Sequence, residues 1–195
     1  MICEGQSTSG VYQLMDSSAL IALLEQAVPG AVFEPVASVD LQTTVFVARE
    51  RVVEVAQALR ERTDLRFEFL AELTAVDFWP REPRFELVYL LVSIEHRLRL
   101  RMKVRLPGAD AHVGTVSGIW PAANWLEREV WDMYGVAFDG HPDPRRLLMP
   151  EDWEGYPLRK DFPVQIRRPA YAAEPLQVTE EEFRENVQRD RLSRS

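Results

Sequence analysis

The sequence predicts a two-layer α+β domain, with helices on one face of a mixed β-sheet, followed by an extended Pro-rich C-terminal arm. Three observations carry this. Segments with helical and with period-two patterning alternate in the order α-β-β-α-β-β-β. The run 97–106 switches between basic and apolar residues at every step. Beyond the first two thirds of the chain, prolines at 142, 144, 150, 157, 163, 169 and 175 exclude any long helix, since each removes a backbone donor and disfavours helix in the residue before it. At 195 residues there is enough chain for one well-buried domain and an extension. The expected division is a flexible N-terminal lead at 1–15, the α+β domain at 16–142 and the arm with a polar tail at 143–195.

The elements follow in order. Asp16-Ser17-Ser18 offers a cap for ALIALLEQAV, whose apolar spacing is helical, and Pro29-Gly30 ends that helix. AVFEPVASV (31–39) and TTVFVA (43–48) read as strands joined through Asp40 and Gln42. From Glu50 to Arg62 the residues Val52, Val53, Ala56 and Leu59 form one stripe with charges opposite, which predicts a second helix lying on the sheet. Three extended runs come next, at 65–79, 84–94 and 97–106, the first two joined by the loop Trp79-Pro80-Arg81-Glu82-Pro83. In the third, Leu98, Leu100, Met102, Val104 and Leu106 share one face, and Arg97, Arg99, Arg101, Lys103 and Arg105 the other. Such a strand suits a sheet edge, where charge prevents strand-to-strand aggregation, or else an acidic partner. The end, TEEEFRENVQRDRLSRS, is polar, with a short helix capped at Thr179.

The stretch EREVWDMYGVAFDGHP, Glu127 to Pro142, is the richest in function-bearing side chains. Asn124 and Glu127 have capping-box spacing and Gly135 is a stop, so a signature helix is expected over 125–134. Leu126, Val130, Met133 and Tyr134 fall on its core stripe, while Trp125 and Trp131 flank its polar side. A solvated helix would not carry tryptophans there. Arg128 and Asp132 are four apart and within pairing reach, with the basic residue first, the weaker orientation in an isolated helix. Their charges therefore look placed for tertiary or intersubunit partners.

Chemistry is harder to find. Glu127 and Glu129 are two apart and point to different sides of a helix, so they form no carboxylate dyad. His141 and Asp143 have the makings of an acid–base pair, but the chain has three histidines, no His-Glu-x-x-His and no phosphate-cradling glycine loop. The single cysteine, Cys3, excludes a disulfide framework or a Cys-rich cluster site within this chain. With 23 basic against 31 acidic residues and net charge −8, nucleic acid is not an expected partner. The first basic residue is Arg49 and no apolar run reaches spanning length, so a membrane is expected only through a larger assembly.

Apolar and aromatic residues on the arm, Leu147, Leu148, Trp153, Tyr156, Leu158 and Phe162, need a cover that an extended strap cannot supply by itself. Either the chain's own domain or a neighbour supplies it; arginine alternating with aromatic anchors, as in RRLLMPEDWEGYPLRKDFPV, is the composition of interface hot spots, which favours the neighbour.

The order Glu127-Arg128-Glu129, Asp132-Met133-Tyr134-Gly135, Phe138, Gly140-His141-Pro142, Arg145-Arg146-Leu147-Leu148, Gly155 and Pro157 to Pro163 resembles the 30-kDa subunit family, designated C in bacteria, of NADH-quinone oxidoreductase, respiratory complex I. Pro144 and Tyr156 depart from that pattern, where leucine and histidine are usual. The resemblance implies a non-catalytic structural subunit of the peripheral arm of a proton-translocating enzyme, on the cytoplasmic side of the cell membrane. It would dock on the large quinone-site subunit, designated D, and on neighbouring subunits, and support electron transfer from NADH to quinone. FMN, iron–sulfur clusters, NADH and quinone would belong to other subunits, with none bound here. Glu127, Arg128, Glu129 and Asp132 would hold the signature helix to the strap or to the quinone-site subunit. Arg145, Arg146, Arg159, Lys160 and Asp161 would position the strap through charge pairs, Trp153, Tyr156 and Phe162 would anchor it, and Tyr134, Gly135, Gly140, His141, Pro142 and Leu158 complete the signature. The alternatives are the equivalent subunit of a membrane-bound hydrogenase or another quinone-reducing dehydrogenase, or a free-standing hydrolase using His141 and Asp143.

Overall fold

The structure, a computed structural model, describes residues 17–40 and 42–163, with Glu181 and Arg184. The expected N-terminal lead, the Asp16 contribution to the first cap and the tail helix at Thr179 lie outside the described residues. Chain contacts separate a unit of residues 1–162 from one of residues 163–195, and the first unit is an α+β domain.

In it α1 (Ser17–Ala27) precedes two short strands, β1 (Glu34–Val36) and β2 (Thr44–Phe46). A 3-10 turn, Arg49–Arg51, opens into α2 (Val52–Glu61), and three nine-residue strands follow: β3 (Phe69–Asp77), β4 (Phe85–Ser93) and β5 (Leu98–Leu106). Then come β6 (His112–Gly114), α3 (Ala123–Tyr134) and β7 (Ala137–Asp139). The main sheet runs β1-β2-β5-β4-β3 and is mixed, because β2 pairs with β5 in parallel while the other pairs are antiparallel. β6 and β7, which periodicity did not reveal, make a separate parallel pair. At three residues each, they are too short to show a period.

Strict alternation buries Phe85, Leu87, Tyr89 and Leu91 of β4 and Leu98, Leu100, Met102, Val104 and Leu106 of β5 on one face. Leu20 and Leu24 of α1, Val52, Val55, Ala56 and Leu59 of α2, and Ala123 and Val130 of α3 join the same core. Each large aliphatic or aromatic side chain so placed contributes about 1.5–3 kcal/mol. Val55, not Val53, completes the α2 stripe, as the spacing i, i+3, i+4, i+7 demands. Val53 instead lies over β6, where a Cβ on Gly114 would come within 2.6 Å of its Cγ2. Trp120 is 1 % exposed and donates its Nε1–H to the Phe67 carbonyl at 2.9 Å, which fixes the approach to α3.

The expectation that the basic–apolar run forms an edge strand is corrected: β5 lies between β2 and β4. Its cations stand on the open face of the sheet, and three of them are paired there. Arg101 meets Asp40 at 2.6 Å, Lys103 meets Glu86 at 2.7 Å and Arg105 meets Glu34 at 3.0 Å, with its guanidinium over the Phe46 ring. Alternation reports a half-exposed face, which central and edge strands share.

Candidate functional site

The site is built on α3 and the segment that returns along it. Gly135 ends the helix in the left-handed region at φ 72° and donates its N–H to the Trp131 carbonyl at 2.8 Å. β7 and Gly140, at φ 80°, turn the chain, and residues 143–162 run back across α3 and the end of the β3–β4 hairpin.

Asp132 organises this return. It has no exposed surface, and its Oδ2 accepts the consecutive N–H groups of Leu147, Leu148 and Met149 at 3.0, 2.7 and 2.9 Å. Its Oδ1 accepts from Arg146 at 2.6 Å. Burial pushes the carboxyl up, but the three amides and the guanidinium outweigh it and hold the group below the usual carboxylate range. Arg146 continues to the carbonyls of Trp153 and Gly155, and lies over the rings of Trp131 and Tyr156. Arg128 works the same way, donating to the carbonyls of Arg145 and Arg146 at 3.0 Å each, with Asp143 at 3.4 Å and the Trp125 ring beside it. Arg128 and Asp132, four apart on the helix, do not pair with each other: both side chains read the backbone of the strap.

A second cluster pins the strap further along. Arg159 donates to the Tyr134 and Gly135 carbonyls, the C-terminal end of α3 where cations are favoured, and stacks over Tyr156 and Phe85. Leu158 N–H reaches the Met133 carbonyl at 3.1 Å. Arg84 bridges Asp77 at 2.9 Å and Asp161 at 2.6 Å, and Asp77 also accepts the Lys160 N–H at 2.9 Å. Trp153 and Phe162 stack with ring centroids 6.3 Å apart.

The expected start of the signature helix is corrected here. α3 begins two residues earlier than spacing suggested, with Ala122 as its N-cap and no side-chain cap, because the Glu127 carboxylate turns inward to Thr115 and Val116 rather than back to Asn124. Glu129 is exposed and stands apart from the buried polar residues. Lys160 serves through its backbone, Pro142 is exposed, and Arg145 points to solvent while pairing with Asp143 at 2.7 Å. Tyr134 is half-buried against the core. The acid–base pair of His141 and Asp143 is not assembled. The Asp143 N–H donates to His141 Nδ1 at 3.0 Å, which leaves Nε2 as the protonated nitrogen, donating to the Asn124 carbonyl at 3.1 Å. The Asp143 carboxylate is held by Arg145. Asp77, Arg84 and Thr115 were not singled out from sequence; the partners that give them meaning lie 7 to 83 residues away. Among the described residues there is no group of three or more His, Cys, Asp or Glu placed to hold a metal ion, and no helix long and apolar enough to cross a membrane.

The Arg84 latch predicts an acid response. Burial would raise Asp77, but Arg84 and two backbone amides prevail and bring it from 3.8 to about 2. A depressed carboxylate stabilises the fold fully above its unfolded value and loses that contribution as pH falls through the folded one. The Lys160 amide should therefore stay protected down to about pH 4 and lose protection toward pH 2, with about 2 kcal/mol lost, as read by amide exchange corrected for intrinsic rates. Arg84→Met should give a strap already loose at about pH 6.

These features define a class, an α+β domain that carries its own return strap and reads it with buried charges of one helix. Residues 45–168 match the family described as respiratory-chain NADH dehydrogenase, 30 kDa subunit, and the chain belongs to that family. It is 44 % identical over 157 residues to the C-designated NADH-quinone oxidoreductase subunit of Roseiflexus sp. (strain RS-1), covering 80 % of this chain and 90 % of the relative. It is 51 % identical over 125 residues to the subunit of the same designation from Geobacter sulfurreducens, covering 64 % and 76 %. Among solved structures it is similar to the trypsin-resistant fragment of Nqo5, with a TM-score of 0.52 and 35 % identity over 64 % of this chain and 98 % of that one. It also resembles a chain of the membrane-bound sulfane sulfur reductase, an archaeal respiratory membrane complex, with a TM-score of 0.65 and 26 % identity over 85 % and 96 %.

Proposed function

We propose that this chain is a non-catalytic structural subunit of the peripheral arm of a proton-translocating NADH-quinone oxidoreductase, docked on the large quinone-site subunit at the cytoplasmic side of the membrane. FMN, iron–sulfur clusters, NADH and quinone are held by other subunits. The observation that carries the docking is the character of the outer surface of α3 and the strap. Arg128, Asp132 and Arg146 are spent on the chain's own backbone, while Trp125, Leu148 and Leu158 stay 59, 57 and 52 % exposed. Large apolar side chains held out by a rigid scaffold, next to arginines, are what an interface centre uses. The identity to NADH-quinone oxidoreductase subunits, 44–51 % against 26 % for the sulfane sulfur reductase chain, favours the first complex over a related one.

Because Trp125, Leu148 and Leu158 are exposed, changing them spares the core. Co-expressed with the large quinone-site subunit, Trp125→Asp with Leu158→Asp should fold normally yet bind at least about 30-fold more weakly, the equivalent of a hot spot of about 2 kcal/mol. Undiminished assembly of that double variant would overturn the docking face. Normal assembly with failed electron transfer would overturn the structural role.

A further inference from the structure

Glu127 is fully buried and makes none of its hydrogen bonds to the strap. Its Oε1 accepts the Val116 N–H at 2.7 Å and its Oε2 accepts the Thr115 hydroxyl at 2.5 Å. Among the described residues its ion-pair neighbour is His141, whose Nε2 lies 3.8 Å away with its hydrogen already committed to Asn124. Other titratable groups face the same region. Tyr89 comes from β4, fully buried, and its hydroxyl has no hydrogen-bond partner among the described residues. Arg128 lines the same cleft of about 120 Å³, but its guanidinium is given to strap carbonyls and to Asp143. A carboxylate removed from water without a cation of its own favours the protonated form.

A proton needs a route, and the sequence Thr115-Val116-Ser117 supplies one. Thr115 Oγ1 is 2.8 Å from Ser117 Oγ, and the Ser117 N–H holds the same threonine oxygen at 3.1 Å. Ser117 is half-exposed, next to the exposed Gly118. Each hydroxyl both donates and accepts, so the row from Ser117 through Thr115 to Glu127 can run in either direction. We propose that Glu127 is a proton-binding site, loaded and unloaded through the hydroxyl relay of Thr115 and Ser117. With the carboxylate ionised, Ser117 donates to Thr115 and Thr115 to Oε2. Loading begins when a hydronium ion at the surface gives a proton to Ser117 Oγ. The original Ser117 hydrogen passes to Thr115 Oγ1, and the original Thr115 hydrogen passes to Oε2. Both hydroxyls end neutral and reversed, one proton has entered, and only O–H bonds have changed. Unloading is the same sequence backwards, to water.

Burial raises the Glu127 carboxyl from 4.5 to about 7, against the two hydrogen bonds that favour its charge, so both states are populated near neutral pH. The proton therefore alters the charge beside His141 and Tyr89 without dismantling the strap, whose contacts use the other side chains of α3.

The test is carbon-13 NMR of the full chain labelled at glutamate carboxyls, titrated between about pH 4 and 9. One carboxyl should titrate near 7 and be absent in Glu127→Gln. Thr115→Val should raise its midpoint by about one pH unit, the tenfold effect of losing one hydrogen bond to a charged group, and slow its proton exchange. Thr115→Ser should restore both, and Ser117→Ala should slow exchange with little change in midpoint. A midpoint in the ordinary glutamate range, about 4.3, would overturn the proton site. An exchange rate unaffected by Ser117→Ala would overturn the relay, and that variant carries the kinetic arm if Thr115→Val fails to fold.

Discussion

Asp132→Ala should cost about 3–5 kcal/mol and release the strap at residues 146–149. The reason is the number of groups left behind. The carboxylate satisfies three consecutive backbone N–H groups and the Arg146 guanidinium, and the site is closed to water at Asp132. Removing it orphans the three amides and leaves Arg146, half-buried, with neutral carbonyls but no anion, the costliest of the losses. Asp132→Asn keeps the volume but offers one acceptor oxygen where four donors converge, so it should recover little of the loss. Urea unfolding monitored by tryptophan fluorescence, with amide exchange at Leu147, Leu148 and Met149, reads both effects. If either variant lay within about 1 kcal/mol of the parent chain, the anion at the centre of the strap would be a spectator.

Gly135→Ala should cost more than its backbone strain. At φ 72° a non-glycine residue loses about 1–2 kcal/mol, and here the added Cβ would meet Arg159 Nη2 at 2.5 Å and the Tyr156 ring at 2.5 Å. Arg159 caps the helix end and the Tyr156 ring lies under its guanidinium, so neither has an easy retreat. Gly30 supplies the control. Its φ is 80°, but nothing lies within 4 Å of the position a Cβ would take. Gly30→Ala should therefore show the strain alone, and Gly135→Ala the strain plus about 1–3 kcal/mol of overpacking, with faster exchange at Leu158. Equal losses in the two variants would mean that the strap does not press on the helix end.

How much of this was legible varied with the range of the interaction. The core stripe of α3 and the alternation of β4 and β5 follow from periods of 3.6 and two, which are local properties. The importance of Glu127, Arg128 and Asp132 was legible as charge on a helix too apolar to be solvated. Their partners were not. The capping-box reading of Glu127 obeyed a sound local rule and lost to burial, because Thr115 and Val116 offered two donors in a place the helix had to cover. The edge reading of β5 failed because neighbours along a sheet are set by topology, which alternation does not encode.

The sequence by itself determined the secondary-structure periods, the proline-broken return segment and the ordered motif that marks the family. Tertiary structure alone decided what each charge does. Arg128, Arg146 and Arg159 bind backbone carbonyls, and a carbonyl belongs to every residue, so no side-chain pattern announces it. Arg84 and Asp161 are 77 positions apart and become neighbours only when a hairpin end and a strap are brought together. The physical reason is the same in both cases: periodicity records which face is dry, and only packing determines which polar groups share that dryness.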